Sequence, residues 1–559
     1  MTASGQATIK ERIQALIAGA VERAQAAGDL PSFALPDVTI ERPQRAEHGD
    51  YACSLPLRLA RAADARPLDI AAAIVRHLQA NEEFAAAEVA PPGFINFRLA
   101  DSWLTSQVNS ILAQGPSFGN VDVGAGQKVQ VEFVSANPTG PLTVATGRGL
   151  SIGDTLAAVL SAAGYNAERE YLINDAGTQT ETFASTLFAR YQQLFGREVE
   201  VPPGAYTGDY VLEIAQEVRD EFGERFLDYS DGPFPPELHD IGVHKMIERI
   251  QADLAAIRVR YDSFFSEKSL YASGTYEKAM ALLREGGYVA EKEGAVWFTS
   301  TMLGDDRDNV LVRSTGKPTY FASDIAYHYD KFLVRGFQRV IDIWGADHQG
   351  HVQRMKAAVS ALGVDPSQLT IIIHQLITIR RGDQEVRVSK RAGDIITLRE
   401  VVDEVGADAA RFFFVQRAPN SHMDFDLELA TRQSSENPVY YVQYAHARIA
   451  GILQNAKERI ADYSDGDVSL LREESELALV RKLLQLPELI ESMTESLETH
   501  PLPYYAMELA TAFHDFYEKC RVLTDDVPLS KARLKLVAAA KLALARALAL
   551  MGMTAPEKM

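Results

Sequence analysis

Cysteine is almost absent from this chain. Two residues in 559, Cys53 and Cys520, stand far apart, which argues against a disulfide framework and for reduced thiols in the cytoplasm. Long apolar runs are missing as well, and none approaches the ~20 residues that a membrane span needs. The opening stretch, MTASGQATIKERIQALIAGAVERAQ, is an amphipathic pattern of mixed charge. It lacks the apolar core and cleavage site of a secretory signal, so a cytoplasmic protein without a membrane partner is expected. Neither an internal repeat nor a low-complexity segment is visible. Positive charge is in deficit: 56 Lys and Arg stand against 76 Asp and Glu, a formal net charge of −20. That balance counts against non-specific DNA binding, which relies on a basic face. It leaves room for one local basic surface and a single RNA read by its shape. What is present is a globular profile, 47% hydrophobic and 24% charged, long enough for several domains.

The richest stretch is VEFVSANPTGPLTVATGRGLSIGDTLAAVL, residues 131–160. Val129, Val131 and Phe133 alternate with Gln130 and Glu132, the period of a strand. Asn137 to Gly149 carry two prolines and three glycines, so the backbone can approach a ligand. From Leu150 onward apolar residues fall at helical spacing. A loop between strand and helix aims backbone N–H groups and the positive helix end at one point, which favours a phosphate. An ordinary strand-to-helix turn is the plainer alternative. Glu132 lies at the C-terminal end of the strand, where α/β sheets place ligands; a solvated strand position is its alternative.

In KPTYFASDIAYHYDKF, Pro318 can open a helix that sets Tyr320 and Asp324 on one face with His328 a turn further on. A planar guanidinium needs a carboxylate that accepts paired hydrogen bonds and a flat neighbour, and this pair supplies both. On the spacing alone, a solvated Asp beside a core Tyr is the plainer reading. In RVIDIWGADHQGHVQRM, Asp347, His348 and His351 have metal-like spacing, but no further Cys/His cluster supports a metal site. EVRVSKRAGDIITL places Lys390 and Arg391 on a loop after a strand, where they can neutralise charge on a leaving phosphate or form a basic surface turn. NPVYYVQYAHARIAGIL interleaves Tyr441, Tyr444, His446 and Arg448, a pattern fit for stacking unpaired bases or for a helix–helix core. His48, Gly49 and Asp50 read as a structural turn.

The strand–loop–helix stretch resembles the first signature of class I aminoacyl-tRNA synthetases, and its surroundings resemble the arginyl-tRNA synthetases. That family reads close to NPTGPLHVGHGRG here. This chain has Thr143 and Thr146 at the two histidine positions and Ala145 before the second. SKRAG resembles the second signature, KMSKR, with Arg387 and Val388 in place of its first two residues. The resemblance implies arginine binding by Glu132, Asn137, Tyr320, Asp324 and His348. It implies ATP binding by Ala136, Asn137, Pro138, Thr139, Gly140, Pro141, Leu142, Thr143, Val144, Ala145, Thr146, Gly147 and Lys390. Lys390, Arg391, Thr143 and Thr146 take the catalytic positions. HGDYA…GFINF resembles the family's N-terminal extension, which contacts the outer corner of the tRNA. Residues 437–449, CRVLTDD and APEKM resemble its anticodon-binding domain, with Tyr441, Tyr444 and Arg448 against tRNA.

The expected fold is α/β: a Rossmann-type doubly wound parallel sheet with a helical insertion, a small N-terminal α/β domain and a C-terminal all-α bundle. The expected divisions are 1–120, a catalytic unit 121–400 with an insertion at about 190–290, a connecting stem 401–435 and a helical domain 436–559. Strands are predicted at 128–135, 167–173, 309–314, 339–344 and 370–374. The implied activity is arginine–tRNA ligation from ATP, L-arginine and tRNA(Arg) by a monomer, with Mg2+ accompanying ATP and no dedicated metal site. A synthetase-like paralogue that binds arginine or tRNA but activates poorly is the second reading, since a threonine hydroxyl carries no charge.

Overall fold

The computed structural model describes residues 8–43, 45–386 and 396–559. The N-terminal unit packs the helices Ile9–Ala26 and Pro67–Arg76 on a four-stranded antiparallel sheet, ordered Ile40–Glu41, Tyr51–Cys53, Phe94–Leu99, Phe84–Ala90. Its first helix starts in a capping box, with Thr8 and Glu11 each accepting the other's backbone N–H. Asp50 behaves as the expected structural turn. It accepts the Leu99 N–H at 2.7 Å and an ion pair from Arg481 of the C-terminal domain at 2.9 Å.

The central unit is built on five parallel strands: β1 (Lys128–Phe133), β2 (Asn166–Ile173), β3 (Ser263–Ser266), β4 (Arg339–Gly345) and β5 (Leu369–His374). Their spatial order is β5-β4-β1-β2-β3, and every neighbouring pair is parallel. The chain turns back at the β1/β4 junction, a topological switch point where ligands bind beyond the strand ends. Helix α1 (Val144–Ala162) lies on β1 so closely that a Cβ at Gly153 would meet the Phe133 ring at 2.2 Å. Glycine there permits the close helix–strand packing of this fold.

Two expectations are corrected. The segment predicted as the parallel strand 309–314 forms Asn309–Val312 of a separate three-stranded antiparallel sheet, with Ala295–Phe298 and Val289–Lys292. Glu293 and Gly294, both at positive φ, join the other two strands in a two-residue hairpin, and Asn309–Val312 pairs antiparallel with Ala295–Phe298. Its place in the main sheet is taken by β3, which falls inside the stretch read as a helical insertion. The helices Thr178–Leu194, Asp209–Phe222 and Pro236–Ala256 are the crossover from β2 to β3. Helix α1 also begins at Val144, six positions before the first residue of the periodic apolar pattern, because Thr143 already adopts N-cap geometry.

The strands Ile377–Arg381 and Met423–Asp426 pair in parallel across a long stretch of chain. The C-terminal domain is all helix: Pro438–Ala456, Glu474–Leu483, Gln485–Ser496, Pro501–Lys519 and Val527–Leu550. Arg411, fully buried, donates to the carbonyl of Ile257 at 3.1 Å, to that of Met551 and to Asp154. It thereby ties the end of the chain to α1.

Candidate functional site

The switch point carries an acid from each side. Glu132 of β1 and Asp342 of β4 are register partners, and both are buried. Between them lies Lys331, wholly buried, with Nζ 2.5 Å from Glu132 Oε2 and 2.9 Å from Asp342 Oδ1. Burial alone would neutralise Lys331, but the two carboxylates outweigh it and keep the ammonium charged. Burial pushes Glu132 up, against the pull of Lys331. It pushes Asp342 up too, but Lys331 and His328 prevail and hold that acid at about 2. His328 has Nε2 2.9 Å from Asp342 Oδ2 and Nδ1 2.7 Å from the Asp324 carbonyl oxygen. Glu132 is therefore neither a solvated strand residue nor a free one. His328 faces inward to the strands, although it shares a helix face with Asp324.

The backbone just after β1 is strained. Val134 and Ser135 adopt φ of 71° and 43°, uncommon for residues with a side chain and rare for a β-branched one. Surrounding bonds impose this turn. Ser135 Oγ donates to Glu132 Oε1 at 2.8 Å and accepts the Leu172 N–H at 3.0 Å. Asn174 Nδ2 donates to the Ser135 carbonyl at 3.0 Å, and Tyr261 Oη to that of Phe133 at 2.9 Å.

The loop that follows and the first turn of α1 hold twelve of the thirteen predicted ATP positions, all but Lys390. Ala136 and Thr139 are fixed through their carbonyls, which accept Tyr171 Oη at 2.9 Å and Tyr210 Oη at 2.7 Å. Asn137 donates to Gln179 Oε1 at 2.6 Å. Gly140 lies under Tyr210, whose hydroxyl would be 3.3 Å from a Cβ there. Pro138 and Leu142 are buried, whereas Pro141 and Ala145 are half-buried. Thr143 is the N-cap of α1, Val144 its first residue, and Thr146 lies in its first turn. Gly147 meets Leu398, whose side chain would stand 2.8 Å from a Cβ. The second signature segment is pinned here: Val144 N–H donates to Ile396 O at 3.2 Å and Leu398 N–H to Leu142 O at 2.8 Å. Lys390 and Arg391 lie outside the described residues.

Asp324 and Tyr320 do share one face of the helix Tyr320–Tyr329. Tyr320 is exposed and its hydroxyl stands over Gly177, where a Cβ would lie 3.2 Å away. The Asp324 side chain makes no hydrogen bond among the described residues, and burial, against the pull of His328, raises it to about 6. Beside it is an acid that the sequence reading missed. Glu267 is 4% exposed, its Oε2 has no partner among the described residues, and burial lifts it to about 7. The charge of Asp324 adds to the rise at Glu267, and two such carboxyls side by side can meet a cation. Arg354, stacked 4.9 Å over Phe321, faces Asp324 from the next helix. His348 is half exposed, 5.5 Å from the His351 ring and 3.5 Å from Asp347. Among the described residues no group of three or more His, Cys, Asp or Glu is arranged to hold a metal.

In the helical domain Tyr444 is 41% exposed and stacks on Tyr440 at 6.0 Å. Tyr441 bonds Thr511 at 3.2 Å, and Arg448 covers Tyr517 at 4.5 Å. His446 is different: it is buried, with Nδ1 2.8 Å from the Pro556 carbonyl, and holds the chain end.

Comparison with known proteins matches this architecture segment by segment. Residues 8–99 match the arginyl tRNA synthetase N terminal domain, 107–449 the catalytic domain of tRNA synthetases class I (R), and 442–559 the DALR anticodon binding domain. The arginine–tRNA ligase of Dehalococcoides mccartyi is 53% identical over 99% of both chains. That of Desulfitobacterium hafniense is 46% identical over the same shares. The solved Thermus thermophilus arginyl-tRNA synthetase superposes with a TM-score of 0.76 over 99% of this chain and all of its own, at 22% identity, a likeness of fold. With the catalytic-domain match covering more than half of its length and a relative at 53% identity spanning it almost end to end, the chain belongs to the arginyl-tRNA synthetase family of class I.

Proposed function

We propose that this chain is an arginine–tRNA ligase that makes arginyl-tRNA(Arg) from L-arginine, ATP and tRNA(Arg). In the first step an oxygen of the arginine carboxylate bonds to the α-phosphorus of ATP and the bond to the β-phosphate oxygen breaks, giving arginyl-adenylate and diphosphate. In the second, a terminal ribose hydroxyl of the tRNA takes the acyl group and AMP leaves. The carboxylate is already a nucleophile, so the protein's task is positioning and charge stabilisation.

The observation that carries the reading is a pair of neighbouring carboxyls beside Tyr320: Glu267, buried with its Oε2 unpartnered among the described residues, and the half-buried Asp324, which burial also raises. A guanidinium brings a delocalised charge and a planar fork of donors, which suits two carboxylates and an aromatic neighbour better than a compact ammonium does. Glu132, Asn137 and His348 take the rest of the amino acid, with Glu132 held by Lys331. ATP enters with Mg2+ as one substrate. Its phosphates meet the Ala136–Gly147 loop and the α1 N-terminus, and Lys390 and Arg391 meet the departing diphosphate. Tyr441, Tyr444 and Arg448 form part of the tRNA surface. The chain acts as a monomer in the cytoplasm. No observation favours the second reading, a poorly activating paralogue.

The test is arginine-dependent exchange of labelled pyrophosphate into ATP, with and without tRNA, followed by charging of tRNA(Arg). Exchange and charging with arginine, and neither with lysine, are the expected outcome. Retained tRNA binding without exchange under any condition overturns the reading in favour of the paralogue.

A further inference from the structure

His328 sits between two groups that can only accept. The Asp324 main-chain oxygen is 2.7 Å from Nδ1, and a carboxylate oxygen of Asp342 is 2.9 Å from Nε2. A carbonyl oxygen has no proton to give, so Nδ1 carries a hydrogen. Across the second contact two lone pairs would face each other unless a proton lies between Nε2 and Oδ2. The His328–Asp342 pair therefore holds one proton beyond the Nδ1 hydrogen.

Charge counting leads to the same proton. Lys331, Asp342 and His328 are 0%, 0% and 3% exposed at their side chains, and Glu132 is 9%. Lys331 can balance one of the two acids that it touches. With the extra proton on the pair, the four-group cluster is neutral; without it, one uncompensated negative charge lies buried, a costly arrangement. The charged groups around the ring are Asp324 and Lys331 on its own helical segment, Asp342 on β4, and Glu132 on β1 through Lys331. Tyr327 stands edge-on at 6.1 Å.

We infer that His328 is a positioning residue of the arginine pocket, a double donor that ties the helix turn bearing Asp324 to Asp342 and, through Lys331, to Glu132. The inference rests on the arginine-pocket reading above. Asp324 and Glu132 come from elements far apart in the chain, and this bridge fixes one relative to the other. It also leaves Glu267, together with Asp324 opposite Arg354, as the acids outside the neutral cluster, so the charge that arginine must meet lies where its guanidinium fits.

The experiment uses full-length enzyme with 15N-labelled histidine. At pH about 8, where a free histidine with a pKa of about 6.5 is largely neutral, the spectrum should show one ring with hydrogens on both nitrogens, lost in His328→Gln. That variant can reach one acceptor and carries no charge. Its affinity for arginine, read as KM in exchange and as Kd by calorimetry, should fall roughly tenfold, the scale of one charge-assisted hydrogen bond, while the ATP KM stays within about twofold. Unchanged arginine affinity overturns the proposal. So does a wild-type spectrum in which none of the twelve histidines keeps both protons, a result that decides the matter even if the variant does not fold. Wild-type protein that binds arginine but performs no exchange sinks the ligase reading and leaves the His328 result to stand by itself.

Discussion

Thr146 donates its hydroxyl proton to the main-chain carbonyl of Thr143, 2.6 Å away. The two threonines at the mouth of α1 are therefore not equivalent. The Thr143 side chain makes no capping bond to the helix, whereas Thr146 already spends its one donor inside the first turn. Thr143 is the better placed to donate to an ATP phosphate. Replacing both by valine should lower the exchange rate by about 2–4 kcal/mol of transition-state stabilisation, as for other lost oxyanion donors. Most of that loss should appear in Thr143→Val. Melting of both single variants should stay near the parent, since the loop edges a ligand site. Equal losses from the two single variants would show that Thr146 gives up its internal bond when ATP arrives.

Asp324→Ala should raise the arginine KM by the equivalent of roughly 1.5–3 kcal/mol, the loss of a hydrogen bond to a charged group. The ATP KM should hardly move. An unchanged arginine KM removes Asp324 from the pocket.

The pocket acids predict a pH dependence with a definite sign. Burial holds Glu267 at about 7 against an ordinary 4.5, and Asp324 at about 6 against 3.8. In the proposed pocket arginine pairs with the ionised forms, so its affinity should rise as pH rises through about 6 to about 7 and then level off. Stability without arginine runs the other way. The unfolded chain releases these protons near 3.8 and 4.5 and the folded one holds them to about 6 and 7. Stability is thus present at acid pH and falls across that window as pH rises. Glu267→Gln should remove the upper part of both effects. Calorimetric titration with arginine at several pH values, with melting beside it, is the measurement; an affinity flat from pH about 5.5 to 8 refutes the assignment.

Lys390→Ala should slow adenylate formation while arginine binding stays nearly intact, because its charge matters most as diphosphate departs. Among the described residues, segment 396–398 runs against residues 142–144 through two backbone bonds. Single-turnover rates and equilibrium arginine binding separate the two effects. A matching loss in binding would make the lysine structural.

At the chain end, Gly552 has φ +66°, and a Cβ there would come within 2.3 Å of the Arg411 guanidinium. Gly552→Ala should therefore cost about 1–3 kcal/mol of stability. Arg411→Met should cost about 3–5 kcal/mol, since it strips a buried partner from Asp154 and a donor from the Met551 and Ile257 carbonyls. Urea unfolding measures both; wild-type midpoints would show that the tail contributes no stability.

The sequence by itself determined what is local. The alternation of Val129 to Phe133, the Gly/Pro loop after it and the four-residue step from Tyr320 to Asp324 are periods and turn residues, and each became the expected element. The three-part α/β plan followed from where strand signals stop. Tertiary structure decided what is paired. Lys331 reaches Glu132 across 199 positions, and Glu267 comes to lie beside Asp324, because the parallel register of β1, β2, β3 and β4 brings their ends together. No spacing along the chain encodes that. The strand assignments failed for the same reason. Four residues, Ser263–Ser266, have too short a pattern to be read, yet the edge of the sheet accepts them, while Asn309–Val312 has a good strand pattern and pairs antiparallel with Ala295–Phe298 in another sheet. A strand's propensity is local, but its neighbour is chosen by which partner buries its faces.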